Sequence, residues 1–217
     1  MNFQSYVRSL IGTNKIEVTN DSNDVIGYLQ LLSNSDCEDE ELIEKFTNWR
    51  NKYMACFLSN FIPTNERTKK WIINNVLKNE DVILFKILNN KSELVGHIGA
   101  KYRKEYIEYD NLIREGEVEV PFFTSFVADM FMNWLFRISD VDFISGKCIS
   151  NNTKGLRFHE RTGFEINNRI PLRKEIASNG DLNWVEDINY PNPEYYCVEI
   201  RLYRKKFLEH IRDKKEG

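Results

Sequence analysis

Val127, Met130, Phe131, Trp134 and Leu135 fall at i, i+3, i+4, i+7 and i+8, which lines up one apolar face of a helix. Three strand-like segments precede that helix with no room for another helix between them. Val82–Leu88 is an apolar run closed by Asn89-Asn90, and Glu93–Tyr102 follows with Gly96 and Gly99 inside it. Tyr106, Glu108 and Asp110 then alternate with Ile107, Tyr109 and Asn111 in a third strand that runs to about Arg114. Strands joined this tightly run antiparallel, because a parallel neighbour needs a crossover of a dozen or more residues. A regular doubly wound parallel sheet is therefore excluded.

The remaining punctuation completes the pattern. Val25–Leu32 reads as a first strand, and the acidic stretch Glu38–Glu41 opens a helix through Trp49. Thr64-Asn65-Glu66 starts a second helix, with Trp71, Ile72 and Val76 on its apolar face. After Pro121 and the long helix, Asp142–Cys148 is a short buried strand. Asn151-Asn152-Thr153 caps a further helix that Gly163 ends. Phe164–Lys174 and Tyr195–Tyr203 are closing strands, with the turn Ser178-Asn179-Gly180 between them. The order β-α-α-β-β-β-α-β-α-β-β predicts an α/β (α+β) fold with a mixed, mostly antiparallel central sheet flanked by helices. Residues 1–25 read as an N-terminal extension, 26–204 as the folded domain and 205–217 as a charged C-terminal tail.

Composition excludes several classes. A net charge of −3 lacks the basic excess of a general nucleic-acid binder. No apolar run approaches the roughly 20 residues of a membrane span. The first residues, MNFQSYVRSLIGTNK, carry no apolar export core, so a cytoplasmic chain is expected. Cys37, Cys56, Cys148 and Cys197 are widely spaced without a C-x-x-C pair. Buried free thiols are expected rather than a disulfide framework or a metal site.

Three segments resemble the GNAT N-acetyltransferase superfamily, over roughly residues 26–204. The sharpest runs from Asn152 through Gly155, Phe158, His159 and Glu160 to Gly163-Phe164, similar to the family pattern N-x-x-A-x-x-L-Y-E-x-x-G-F. Asn48-Trp49-Arg50-Asn51, Thr64-Asn65-Glu66 and Trp71-Ile72 resemble the branch of ribosomal-protein and amino-sugar acetyltransferases, as does Glu108-Tyr109-Asp110-Asn111-Leu112-Ile113-Arg114. The resemblance implies splayed central strands, acetyl-CoA as acyl donor, no metal, and a small-molecule amine as acceptor attacked directly in a ternary complex. It leaves a homodimer open, and a nucleotide-linked amino sugar is the first expectation for the acceptor. Acetylation of a protein N-terminus or an antibiotic amine, or a catalytically silent CoA-binding module, remains as an alternative.

The family's glycine-rich Q/R-x-x-G-x-G/A stretch is replaced here by Val120-Pro121-Phe122-Phe123-Thr124-Ser125, which has no glycine. Unpaired amides at a helix N-terminus bind anions without glycine. Phe122, Phe123, Thr124 and Ser125 are therefore the expected pyrophosphate contacts. By the same resemblance the backbone of Leu112, Ile113 and Arg114 pairs with the pantetheine arm, and Asn152 contacts it. Lys154, Arg157 and Arg161 form a basic helix edge that reads either as a solvated face or as a phosphate contact. Glu108 and Asp110 share one strand face, suited to a general base or to holding the ammonium. His159 stands where the family often has a proton-donating tyrosine. Trp49, Arg50 and Asn51 are expected to shape or buttress the acceptor pocket. His97, inside its strand, reads as a packed or hydrogen-bonded core residue.

Overall fold

The computed structural model describes residues 2–12 and 15–216, the side chains of 210 and 212–216 excepted. Ten strands form one sheet: β1 Ile16–Thr19, β2 Val25–Leu31, β3 Ser59–Asn60, β4 Val82–Asn89, β5 Leu94–Tyr102, β6 Ile107–Arg114, β7 Phe143–Ile149, β8 Glu165–Ile176, β9 Leu182–Glu186 and β10 Tyr196–Tyr203. Across the sheet the order is β1-β2-β4-β5-β6-β7-β10-β8-β9-β3. Every pairing is antiparallel except β6 with β7. That exception follows from α4 (Phe123–Ile138), which crosses between them and makes the parallel return possible.

The helices α1 (Phe3–Ile11), α2 (Glu40–Lys52), α3 (Asn65–Trp71), α4, α5 (Thr153–Arg161) and α6 (Arg204–Glu216) complete the fold. A wider π-type turn, Ile72–Leu77, prolongs α3. β4 shows why the sequence reads as an unbroken apolar run: Ile83, Phe85 and Ile87 enter the core under α1 and α4, while Val82 and Leu84 enter the core under α2 and α3. A strand covered on both faces has no solvent side to alternate with.

Two boundaries differ from the sequence reading. Residues 1–25 contribute α1 and β1, and Val7, Ile11 and Val18 are buried in the main core. Asn2 caps α1 by accepting the Ser5 amide at 2.8 Å, a local signal hidden among many Asn and Ser. The charged tail is α6, whose Phe207 is buried against Phe136. Three apolar residues, Phe207, Leu208 and Ile211, among so many charges give too short a period to read from sequence.

Strands β6 and β7 pair only at Ile107↔Ile144, Glu108↔Ser145 and Tyr109↔Gly146. Beyond that point they part, and β7 continues against β10. On its other side β6 stays paired with β5 but carries an extra residue: His97 faces Ile113, yet Gly99 faces Asp110. This bulge places Asn111 at φ 55, a left-handed conformation that asparagine tolerates better than most residues.

Candidate active site

The parting of β6 from β7 opens a cavity of ≈ 250 Å³ lined by Tyr109–Arg114 on one side and Gly146–Cys148 on the other, with Asn152 and His159 of α5 over it. Residues 110–114 have no β7 partner along this edge. Their backbone groups are free to meet an inserted chain as a strand would. Asn152 caps α5, its Oδ1 accepting the Gly155 amide at 3.0 Å. A Cβ at Gly155 would lie 2.5 Å from the Asn152 side-chain nitrogen, so an alanine there would make the capping side chain shift.

Tyr109 and His159 both line this gap, and the Tyr109 hydroxyl and His159 Nδ1 are buried beside it with no partner among the described residues. Their rings meet edge to face, with centroids 5.5 Å apart. Buried polar atoms are normally hydrogen-bonded, so two orphans side by side next to the gap single out these residues. Burial pushes the His159 pKa down to about 4 and the Tyr109 pKa upward. At neutral pH the phenol therefore keeps its proton and the imidazole is uncharged. A cationic His159 acid is not what this site offers; any proton it gives comes from the neutral ring's N–H.

His97 is also buried and neutral. Its Nδ1–H donates to the Asn111 carbonyl at 2.6 Å, clamping the bulge, and burial lowers its pKa to about 4. It is a packed residue as the sequence suggests, and it also lines the acceptor pocket described below. These two rings set an acid limit on stability. Their unfolded forms take protons below about pH 6.5, whereas the folded forms resist until about pH 4. Stability therefore falls as pH drops through that window, by roughly 1–2 kcal/mol per ring between pH 7 and pH 5. Thermal unfolding of the wild type and of His159→Phe at both pH values checks this: the variant should lose less on acidification. Equal losses would show that the ring is not held neutral.

Along α5, Lys154, Arg157 and Arg161 border a groove beside the amino end of α4, together with Phe122, Ser125 and the acidic Asp21. Among the described residues none of these three cations has an ion-pair partner. Phe122 takes the left-handed conformation (φ 59) that a glycine would adopt without strain, and its side chain is exposed. The first amides of α4 are partly spent internally: Phe123 N–H donates to the Val120 carbonyl, and Ser125 and Phe126 N–H donate to that of Phe122. Thr124 Oγ1 accepts from Arg114 Nε at 3.2 Å. Phe123 is a correction to the expected contacts. Its amide is spent on the Val120 carbonyl, and its side chain, only 2% exposed, sits in the core over Gly27.

A second cavity of ≈ 430 Å³ adjoins the gap through Cys56, Phe57, Asp110, Asn111, Ile113 and Lys147, which line both. Glu108 and Asp110 both face it, as the period of two predicts. Neither carboxylate is solitary. Asp110 pairs with Lys101 at 2.5 Å and accepts from Asn111 Nδ2 at 2.6 Å, while Glu108 pairs with Arg103 at 2.8 Å and Lys101 at 3.8 Å. Arg50 faces the cavity from α2, but its two neighbours do not. Trp49 is 7% exposed and packs on Phe46 and His97 behind the wall, and Asn51 turns to solvent. One helical turn cannot aim three consecutive residues at one site. The structure adds Tyr109, Lys101, Arg67, Phe57, Phe61 and Trp71, none of which the sequence singles out for this role. Of these only Tyr109 left a trace, as the residue of opposite parity between the two carboxylates.

Cys37, Cys148 and Cys197 are buried free thiols, and Cys56 is a half-buried one. Among the described residues no group of three or more His, Cys, Asp or Glu is disposed to hold a metal ion. No helix is long and apolar enough to cross a membrane.

A mixed sheet that parts between two parallel strands, with a capped helix carrying three cations over the gap and a carboxylate-bearing pocket beside it, defines an acyltransferase scaffold. The chain belongs to the GNAT family: residues 19–181 match the Acetyltransferase (GNAT) domain. No curated protein matches it in sequence. Among solved structures it is similar to spermidine N-acetyltransferase from Vibrio cholerae in complex with CoA and spermine, at 14% identity and TM-score 0.61, covering 83% of this chain and 96% of that one. It is also similar to a putative acetyltransferase at 12% identity and TM-score 0.65, covering 93% and 92%. AAC(6')-Ib in complex with ribostamycin and coenzyme A shares 15% identity at TM-score 0.57, covering 83% and 94%. At these identities the likeness is one of fold.

Proposed function

We propose that the protein transfers an acetyl group from acetyl-CoA to the amine of a small acceptor by direct attack. One observation carries this reading: the strands part beyond Tyr109 and Gly146 into a gap that shares walls with a pocket holding two carboxylates, and α5, which covers the gap, carries three cations with no ion-pair partner among the described residues. The donor supplies an activated thioester carbonyl. The free β6 edge at Leu112, Ile113 and Arg114, with Asn152, orients the pantetheine arm. Lys154, Arg157, Arg161, Ser125 and the exposed amino end of α4 receive its phosphates. Asp110, at the junction of the two cavities, takes the ammonium proton directly or through a water, with Glu108 holding Lys101 and Arg103 in place. The protonated Tyr109 hydroxyl and the His159 ring lie in the gap as hydrogen-bond donors for the departing sulfur.

For the acceptor class we propose an amino sugar, handled in the cytoplasm. The aromatic wall of Phe57, Phe61 and Trp71 suits a sugar or base ring better than an extended chain. Solved relatives include complexes with a polyamine and an aminoglycoside-type ligand, ribostamycin, so the test must span these classes.

Release of free CoA thiol, followed over a panel of amino sugars, polyamines and peptides, tests the reading. Amine-dependent release is expected. Absence of release with every amine, together with no thermal stabilisation by acetyl-CoA, would leave only a silent scaffold. Changing Arg157 and Arg161 together to Ala should raise the KM for acetyl-CoA roughly ten-fold at low salt and less at high salt, since the contacts are exposed and screened. An unaltered KM would return these arginines to an ordinary solvated face.

A further inference from the structure

We infer that the acceptor pocket is built for an amine that also carries an oxyanion, a phosphate or a carboxylate, gripped by the guanidinium of Arg50. The inference rests on the acetyltransferase reading and narrows its substrate. Arg50 is a half-buried cation without a counter-ion among the described residues. Its Nη2 donates to the Ser59 carbonyl at 2.6 Å, and among the described residues no acceptor meets the other four of its five N–H groups. Its plane is fixed by the Phe57 ring, 3.6 Å from the guanidinium carbon, with Phe61 at 5.0 Å. A stacked, fixed fork with free donors matches the geometry of a phosphate or carboxylate. Burial lowers its pKa to about 10, so the charge is held at a desolvation cost that a bound anion offsets.

The neighbouring cations are already answered. Lys101 pairs with Asp110, Arg67 with Asp181 at 2.6 Å, and Lys147 with Glu186 at 2.7 Å. Among the described residues Arg50 alone of the pocket's four cations makes no ion pair, Asp110 reaching it only as a nearby charge. Arg67 lies across the Phe61 ring at 4.2 Å and adds positive field on the same side. A polyamine would bring further positive charge beside Arg50, into a pocket whose two carboxylates are occupied by Lys101 and Arg103. An amine at Asp110 and an anion at Arg50 satisfy both ends at once. The sequence hints at this only through Arg50 in Trp49-Arg50-Asn51.

The test is a calorimetric titration in the presence of saturating CoA, which keeps anions out of the phosphate groove and needs no turnover. Glucosamine, glucosamine 6-phosphate, glucosaminuronic acid and spermidine are compared on the wild type, Arg50→Met and Arg50→Lys. At least one anionic sugar should bind ten-fold or more tighter than glucosamine, and the stronger of the two identifies phosphate or carboxylate as the preferred group. Arg50→Met should shrink that advantage below about three-fold while CoA affinity persists. Arg50→Lys, which keeps charge without the fork, should retain an intermediate advantage, and it carries the comparison if the Met variant loses CoA binding. Equal affinity for all sugars, tighter binding of spermidine, or an advantage that survives in both variants would overturn the inference. Failure of the acetyltransferase reading would appear separately, as absent thiol release from acceptors that bind.

Discussion

Asp110→Asn is expected to lower kcat/KM for the amine by roughly two to four orders of magnitude while the affinity for acetyl-CoA stays near that of the wild type. The argument rests on position. Of the two carboxylates on the β6 face, only Asp110 lines both the gap and the acceptor pocket; Glu108 lines the pocket alone. Glu108 is also held by two cations, Arg103 and Lys101, and so acts as an electrostatic anchor. Glu108→Gln should therefore cost less than about ten-fold. The asparagine variant is nearly isosteric and keeps the contact with Lys101, so folding is not at issue. Separate kcat and KM values then distinguish two roles. A fall in kcat marks proton transfer, whereas a rise in KM alone marks ammonium binding. Retention of kcat/KM within about ten-fold would remove Asp110 from the chemistry.

How much of this was legible in the sequence depends on the range of the interaction. The tight meander β4–β5–β6, the long helix and the Asn152-to-Gly163 helix were readable because caps, turns and apolar periods are local. The GNAT resemblance then implied the splayed strands, and the parting after Tyr109 and Gly146 matches that expectation. β3 was not readable, because its two residues form a strand only by pairing with Asn183 and Leu182, more than 120 positions away in the chain. The same limit hid the site's electrostatics. Glu108 and Asp110 could be placed on one face, but Lys101 and Arg103, which neutralise them, depend on register across the β5–β6 turn. His159 lines the gap, yet its neutrality, which no local pattern announces, comes from the Tyr109, Phe158 and Phe164 rings around it. Trp49 buttresses the pocket wall through Phe46 and His97, one of the two roles expected of it, whereas Asn51 misses the site because the helix phase that aims Arg50 at the pocket turns it to solvent.

Gly96→Ala tests whether the bulged β6 edge is held from behind by β5. Gly96 pairs with Ile87 on one side and Arg114 on the other, and an added Cβ would lie 2.3 Å from the Ile113 carbonyl oxygen and 3.1 Å from the Arg114 Cα. Both are backbone atoms, so no side chain can swing aside; β6 itself must move. The expected loss is about 3 kcal/mol, at the upper end of ordinary overpacking. For a chain of this size that lowers Tm by roughly 6–12 °C. Because Ile113 lines both cavities, the same displacement should weaken acetyl-CoA binding. Gly180→Ala is the control: its φ of +83 brings strain of about 1–2 kcal/mol, but no atom lies within 4 Å, and the turn is remote from the gap. It should lower Tm modestly and leave cofactor affinity alone. If Gly96→Ala loses stability but binds acetyl-CoA as before, the strain has been absorbed toward β4, and the gap is set by the Asn111 bulge and the His97 clamp alone. If its Tm is unchanged, the close approach of β5 to Ile113 is not a feature of the folded protein.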